Sequence, residues 1–215
     1  MLLPVEMGFS IKIKERRNSM LSIDSLVYDM LQKFYYLLVL NFLWLIFSLP
    51  LFTIGASTTA LYYVIAKIYR DEHTYIFKDF WKSFKLNFKK STIIWCISII
   101  IYFIAYINLK NLNLIDNETL ILIIQSIMLF EIFVINIYIF PLLSRYYLSL
   151  NKLAKTSFWM ANRHFLNTLL CILLFLGSYA LLTLHFAFIT VSISFYALAS
   201  YHILKKIFSK YEINY

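Results

Sequence analysis

The chain has 215 residues, 61% of them apolar and only 14% charged, against about 45–50% and about 25% in an ordinary soluble domain. That balance excludes a soluble enzyme domain, a disordered chain and a secreted disulfide scaffold. The net charge of +9 does not indicate nucleic acid, because the Lys and Arg lie between apolar runs and not along one basic stripe.

Residues 1–33 read as a cytoplasmic segment carrying Lys12, Lys14, Arg16 and Arg17, with no apolar stretch long enough for a signal-peptide core before Phe34. Two runs of spanning length follow, 34–50 and 52–69. The second contains Ser57, Thr58 and Thr59, so it inserts only if those hydroxyls face other helices. Charge arbitrates. If 52–69 does not cross, the basic residues divide fourteen to six between the two sides; if it crosses, they divide nineteen to one, with Lys110 alone outside. Since Lys and Arg concentrate in cytoplasmic segments, the expected architecture is an all-α, polytopic bundle of six membrane helices with both termini cytoplasmic. Five spans, or a first hairpin (34–70) that dips and returns, are the alternatives. Lys67 is expected to snorkel from the end of its helix.

The stretch 71–90 predicts an amphipathic interfacial helix. Phe77, Phe80, Trp81, Phe84 and Phe88 fall within an arc of about 100°, with Lys78, Lys82, Lys85 and Lys89 on the adjacent flank. Such a face suits the acyl boundary beside anionic head groups, or a protein partner. A hairpin over 91–142 comes next, with spans 91–109 and 120–142. Glu131 lies near the middle of the second, where a carboxyl costs a few kcal/mol and calls for a pairing partner or a part in moving an ion or substrate. Gln125 and Asn136 do not share its helical face, and Asn41 is a further mid-span polar group suited to interhelical hydrogen bonding. Pro141 is expected to kink or stop its span.

The linker 143–165 holds a second amphipathic stretch, 152–165, which runs into the last hairpin, 166–204, and a tail, 205–215. The order amphipathic helix, span, turn, span therefore occurs twice, over 75–142 and 152–204, which suggests a duplicated unit. His73, His164, His185 and His202 show no metal-ligand spacing. Three glycines offer no phosphate loop, and Cys96 and Cys171 read as small buried hydrophobes. No catalytic, cofactor or metal residue is expected, and the chain is not read as an enzyme.

The run from Leu40 through Leu49-Pro50 and Thr53-Ile-Gly-Ala-Ser-Thr-Thr-Ala-Leu-Tyr-Tyr63, continued by Phe77-Lys-Asp-Phe-Trp-Lys-Ser-Phe-Lys-Leu-Asn-Phe88, closely resembles the YesL-like family of bacterial membrane proteins. The resemblance is strong over about 50 residues, 41–90; the last span departs from it by lacking Pro and Gly. It implies a bacterial plasma-membrane protein with no cofactor and no established activity, serving as an accessory or regulator of carbohydrate ABC import. Its partners would then be the lipid bilayer, permease subunits and a second copy of itself. Asn41, Trp44, Pro50, Gly55, Ala56, Ser57, Thr58 and Thr59 form the candidate motif, because small residues on the returning helix allow close approach to Asn41 and Trp44 of the first. A small transporter or channel using Glu131 and the polar hairpin at 55–60 is the competing expectation.

Overall fold

The computed structural model describes residues 23–70, 72–111 and 118–211. The basic cluster at 12–17, the expected outer loop over 112–117 and the end of the tail lie outside the described residues. In a hydrocarbon solvent every backbone polar group needs an internal partner, which a helix provides from its own segment. The described chain is accordingly built of α1 (Ile23–Phe47), α2 (Ile54–Tyr69), α3 (Ile76–Lys110), α4 (Glu118–Arg145), α5 (Leu150–Arg163), α6 (Phe165–Leu184) and α7 (Ser192–Lys210). Single 3-10 turns at Leu51–Thr53 and Phe186–Thr190 complete it, with no strand among the described residues. Five segments are long and apolar enough to cross a membrane: Met30–Phe47, Leu51–Tyr69, Ile76–Lys110, Glu118–Arg145 and Phe165–Leu184.

α2 is the enclosed centre of the bundle, with Ala56, Ser57, Ala60, Val64 and Ile65 fully buried. It lies antiparallel to the first half of α3. Thr59 Oγ1 is 2.9 Å from Ser91 Oγ near one end of the contact, and Lys67 Nζ is 2.8 Å from Asp79 Oδ2 at the other. Gly55 makes the approach possible, since a methyl group on its Cα would lie 2.7 Å from the Ser91 carbonyl oxygen and 2.8 Å from Trp95 Cβ. α7 closes the other side, where Tyr62 Oη is 2.8 Å from Ser200 Oγ. α4 binds α3 through Gln125, whose amide donates to the Ala105 carbonyl at 2.8 Å, and meets α6 through Tyr138 and Thr168, also 2.8 Å apart.

The turns joining α1 to α2 and α6 to α7 lie at one end. Trp95 Nε1 donates to the Leu51 carbonyl at 2.8 Å, and Asn41 Nδ2 donates to the Ile189 carbonyl. The opposite end gathers basic side chains: Lys205 Nζ sits 3.9 Å from the Tyr69 ring centroid, and Lys90 donates to the Leu148 carbonyl at 2.8 Å.

Several elements differ from expectation. The interfacial helix and the following span are one helix, α3, unbroken over 35 residues. At about 1.5 Å per residue it is roughly 52 Å long, far beyond the about 30 Å of a hydrocarbon core, and its lysines occupy the surplus. α4 does not stop at Pro141 but runs on to Arg145; the ring's missing N–H is tolerated where neighbouring helices enclose the residue. Lys67 lies in the last turn of α2, where Asp79 meets it. The final expected span, 186–204, begins as a 3-10 turn and becomes α-helical only at Ser192. α7 falls outside the apolar five because His202, Lys205, Lys206, Lys210 and its serines lower its hydropathy; Ser192, Ser194 and Ser200 are buried within the bundle, where small polar residues pack well.

Candidate functional site

Two features combine unusual chemistry with accessibility: a cleft among the helices and a cationic face on α3.

The cleft, of about 480 Å³, is lined by parts of α1, α2, α3, α4, α6 and α7. It lies toward the end that carries the α1–α2 and α6–α7 turns, since Ile54, Leu182, Ser192 and Ile193 border it from helix termini. Nine of its nineteen lining residues are aromatic and none is Asp, Glu, Lys, Arg or His. Polar atoms occur as short networks between those rings. Trp44 Nε1 donates to Thr58 Oγ1 at 3.1 Å, which fixes the indole across the α1–α2 hairpin. Asn136 Nδ2 donates to Ser98 Oγ at 3.2 Å, and Tyr102 hydrogen-bonds the same asparagine. Tyr62 joins Tyr196 as well as Ser200. Ser192 is 5% exposed and lines the cleft, yet its Oγ has no hydrogen-bond partner. An unsatisfied buried hydroxyl costs about 1–3 kcal/mol.

The candidate motif divides between packing and this cleft. Trp44 and Thr58 line it. Asn41 is fully buried and serves α7, its Oδ1 accepting the Ser194 backbone N–H at 3.2 Å. Gly55 lies closest to α3, at Ser91 and Trp95, and to Phe140 of α4. Thr59 is buried in the same seam, Ala56 and Ser57 are also fully buried, and Pro50 is exposed at the hairpin tip. Tyr62, Trp95, Tyr102, Tyr196 and Ser192 were not singled out by sequence. The available signal was Tyr and Trp placed inside apolar runs, away from the interfacial belts where they normally concentrate.

The aromatic arc of α3 is likewise split. Phe80 and Phe84 are buried against Phe47, at ring-centroid separations of 5.5 and 5.1 Å. Phe77, Trp81 and Phe88 remain exposed together with Lys78, Lys82, Lys85 and Lys89. Lys85 Nζ lies 5.3 Å from the Trp81 ring centroid, a cation–π placement. Asp79, on the buried side, also accepts the Tyr75 backbone N–H at 3.0 Å, so the start of the helix is tied down.

Glu131 is half-buried and accepts a hydrogen bond from Asn162 of α5 at 3.3 Å; it is not among the residues lining the cleft. At the α5–α6 junction, His164 Nε2 is 3.2 Å from Tyr211 Oη. Burial, then Lys210 and Arg163, hold its imidazole below the ordinary value of 6.5. Among the described residues no group of three His, Cys, Asp or Glu converges on a point that could hold a metal.

No curated protein and no solved structure is detectably similar to the chain. Residues 37–109, about a third of the sequence, match the family described as "Protein of unknown function, DUF624", a match that takes in the second half of α1 from Leu37, all of α2 and nearly all of α3.

Proposed function

We propose that the chain is a multi-pass, non-enzymatic membrane protein that acts as an accessory or regulatory subunit beside a transport complex, with carbohydrate ABC import as the class its resemblance implies. α7 serves as the sixth crossing, shielded from lipid by the other helices, and both ends of the chain lie in the cytoplasm of a bacterial cell. The segregation of charge supports this topology: the bundle end holding Lys67, Lys90 and Lys205 is opposite the end holding the α1–α2 and α6–α7 turns.

The observation that carries the accessory reading is the first part of α3. Its inner side is anchored by Phe80, Phe84 and Asp79, and its outer side presents Trp81, Lys82, Lys85 and Lys89 beyond the apolar length of the helix. A rigid aromatic–cationic face of this kind suits an acidic patch on a cytoplasmic or membrane-boundary partner. Glu131 fits this reading as a structural group, since Asn162 meets it.

Affinity purification of the tagged protein from native membranes in mild detergent, with lysine cross-linking and mass spectrometry, tests the proposal. Permease subunits in near-stoichiometric yield, cross-linked through Lys78, Lys82, Lys85 or Lys89, are the expected result. Recovery of the protein alone, or only with itself, overturns it.

A further inference from the structure

We infer that the junction between α5 and α6 binds the phosphate of an anionic phospholipid, with the acyl chain of that lipid lying against the first turns of α6. The inference rests on α6 crossing the membrane and not on the accessory reading, because it uses no residue of the α3 face.

The site is assembled from two separate parts of the chain. Trp159 and Arg163 lie one turn apart on α5, and the Arg163 guanidinium carbon is 4.7 Å from the Trp159 ring centroid, a cation–π placement that favours one position for the charge. The end of α7 packs onto the same place. The Tyr211 ring stands edge-on to Trp159 at a centroid separation of 5.0 Å, and its hydroxyl is 3.2 Å from His164 Nε2. Lys210 arrives with it, and both Lys210 and Arg163 act against protonation of His164, so the two cations stand near one imidazole. Trp159, Arg163 and Lys210 are all exposed.

Three features select the ligand. The first is unbalanced charge. Lys67 is met by Asp79 and Arg70 by Glu72, but among the described residues neither Arg163 nor Lys210 makes an ion pair. Cations that a fold gathers without a carboxylate leave a positive potential that an anion relieves. The second is donor chemistry: a guanidinium and an ammonium present N–H groups to which phosphate oxygens are suited acceptors. The third is location. α6 begins at Phe165, directly after the cluster, and is apolar and long enough to cross a membrane. Phe165, Leu166, Leu169 and Leu170 are exposed on its first turns, so the cations stand where hydrocarbon gives way to head groups. A soluble phosphate or an acidic peptide satisfies the cations but leaves those apolar side chains uncovered. A zwitterionic lipid brings its own cation beside its phosphate and gains less.

Native mass spectrometry of the full chain in detergent, titrated with phosphatidylglycerol and separately with phosphatidylcholine of the same chains, tests the inference. One phosphatidylglycerol should bind about tenfold more tightly than phosphatidylcholine, and Arg163→Gln combined with Lys210→Gln should remove that preference. Lys152→Gln combined with Lys155→Gln takes the same charge from the other end of α5, where both residues are exposed, and should change the preference by less than about twofold. Lys210→Glu alone, at the exposed end of α7, should lower phosphatidylglycerol affinity about tenfold; it supplies the reading if the double substitution impairs folding. Equal binding of the two lipids overturns the anionic ligand. An equal loss on removing Lys152 and Lys155 overturns the site in favour of charge at large. Displacement of phosphatidylglycerol by an equal concentration of inorganic phosphate overturns the lipid in favour of a soluble anion.

Discussion

Gly55 shows how one atom sets the architecture. The hydrogen in place of a side chain lets α2 lie against the α3 backbone at Ser91 and beside Trp95 and Phe140, with no room for a methyl group. Gly55→Ala gains helix propensity of about 1 kcal/mol but forces apart two helices joined by the Thr59–Ser91 hydrogen bond. Overpacking of this kind costs about 1–3 kcal/mol, so the net expectation is a lower thermal midpoint in detergent, read by size-exclusion recovery after heating. Gly177 is the internal control, since a methyl group there meets nothing within 4 Å; Gly177→Ala should leave the midpoint unchanged or raise it. Sequence marked the run 55–60 as a point of close approach to α1, where Trp44 meets Thr58, but it did not identify the tight contact of Gly55 with α3 and α4. The run 55–60 is small on several sides, so it packs against more than one helix. The contact with α3 is set by the small Ser91 and by the Lys67–Asp79 pair, neither of which has a local signature.

At the scale of elements, the apolar runs were legible because a membrane helix declares itself by length and hydropathy within its own segment. What was not legible is where one element ends and another begins. α3 reads as two pieces because its composition changes at Lys90, yet nothing in residues 86–95 breaks a helix. The corresponding stretch of the second half is interrupted at His164, between α5 and α6, so the suggested duplication is matched in order but not in continuity. That interruption carries a pH dependence. The imidazole is held below its ordinary value in the folded chain, so the unfolded state takes up the proton more readily. Stability from this junction is full above about pH 6.5 and declines as pH falls from there through the lowered value. Thermal midpoints measured between pH 8 and pH 5 should therefore fall more for the natural protein than for His164→Gln, with the two curves parallel above pH 7.

For the whole molecule, charge counting and packing bear on the same question from different directions. The count favours an α1–α2 hairpin whose tip faces away from the basic end, and the contacts of Leu51 with Trp95 and of Asn41 with Ile189 keep that tip at the turn-bearing end. In a background lacking Cys96 and Cys171, a membrane-impermeant thiol reagent applied to intact cells should modify Leu49→Cys and Lys110→Cys, while Lys82→Cys should react only after permeabilisation. Leu49 is 77% exposed, so a failure of Leu49→Cys to react from outside would mean that the hairpin turns back without crossing. The cleft was beyond sequence reasoning for a general reason. Its residues come from six helices, and their convergence depends on crossing geometry that no local pattern encodes.

The bonds from Asn41 to Ile189 and Ser194 span about 150 residues of chain, and this bears on the order of assembly. α1 is synthesised early, and its amide side chain then lies in an apolar setting with its eventual partners unmade until the last hairpin has emerged from the ribosome. During that interval α1 carries an unsatisfied polar group that insertion and quality-control factors can recognise. The final helix is thus a latch: a nascent chain cut short before Ile189 retains most of its hydrophobic segments but leaves Asn41 open, a local mark that the protein is incomplete.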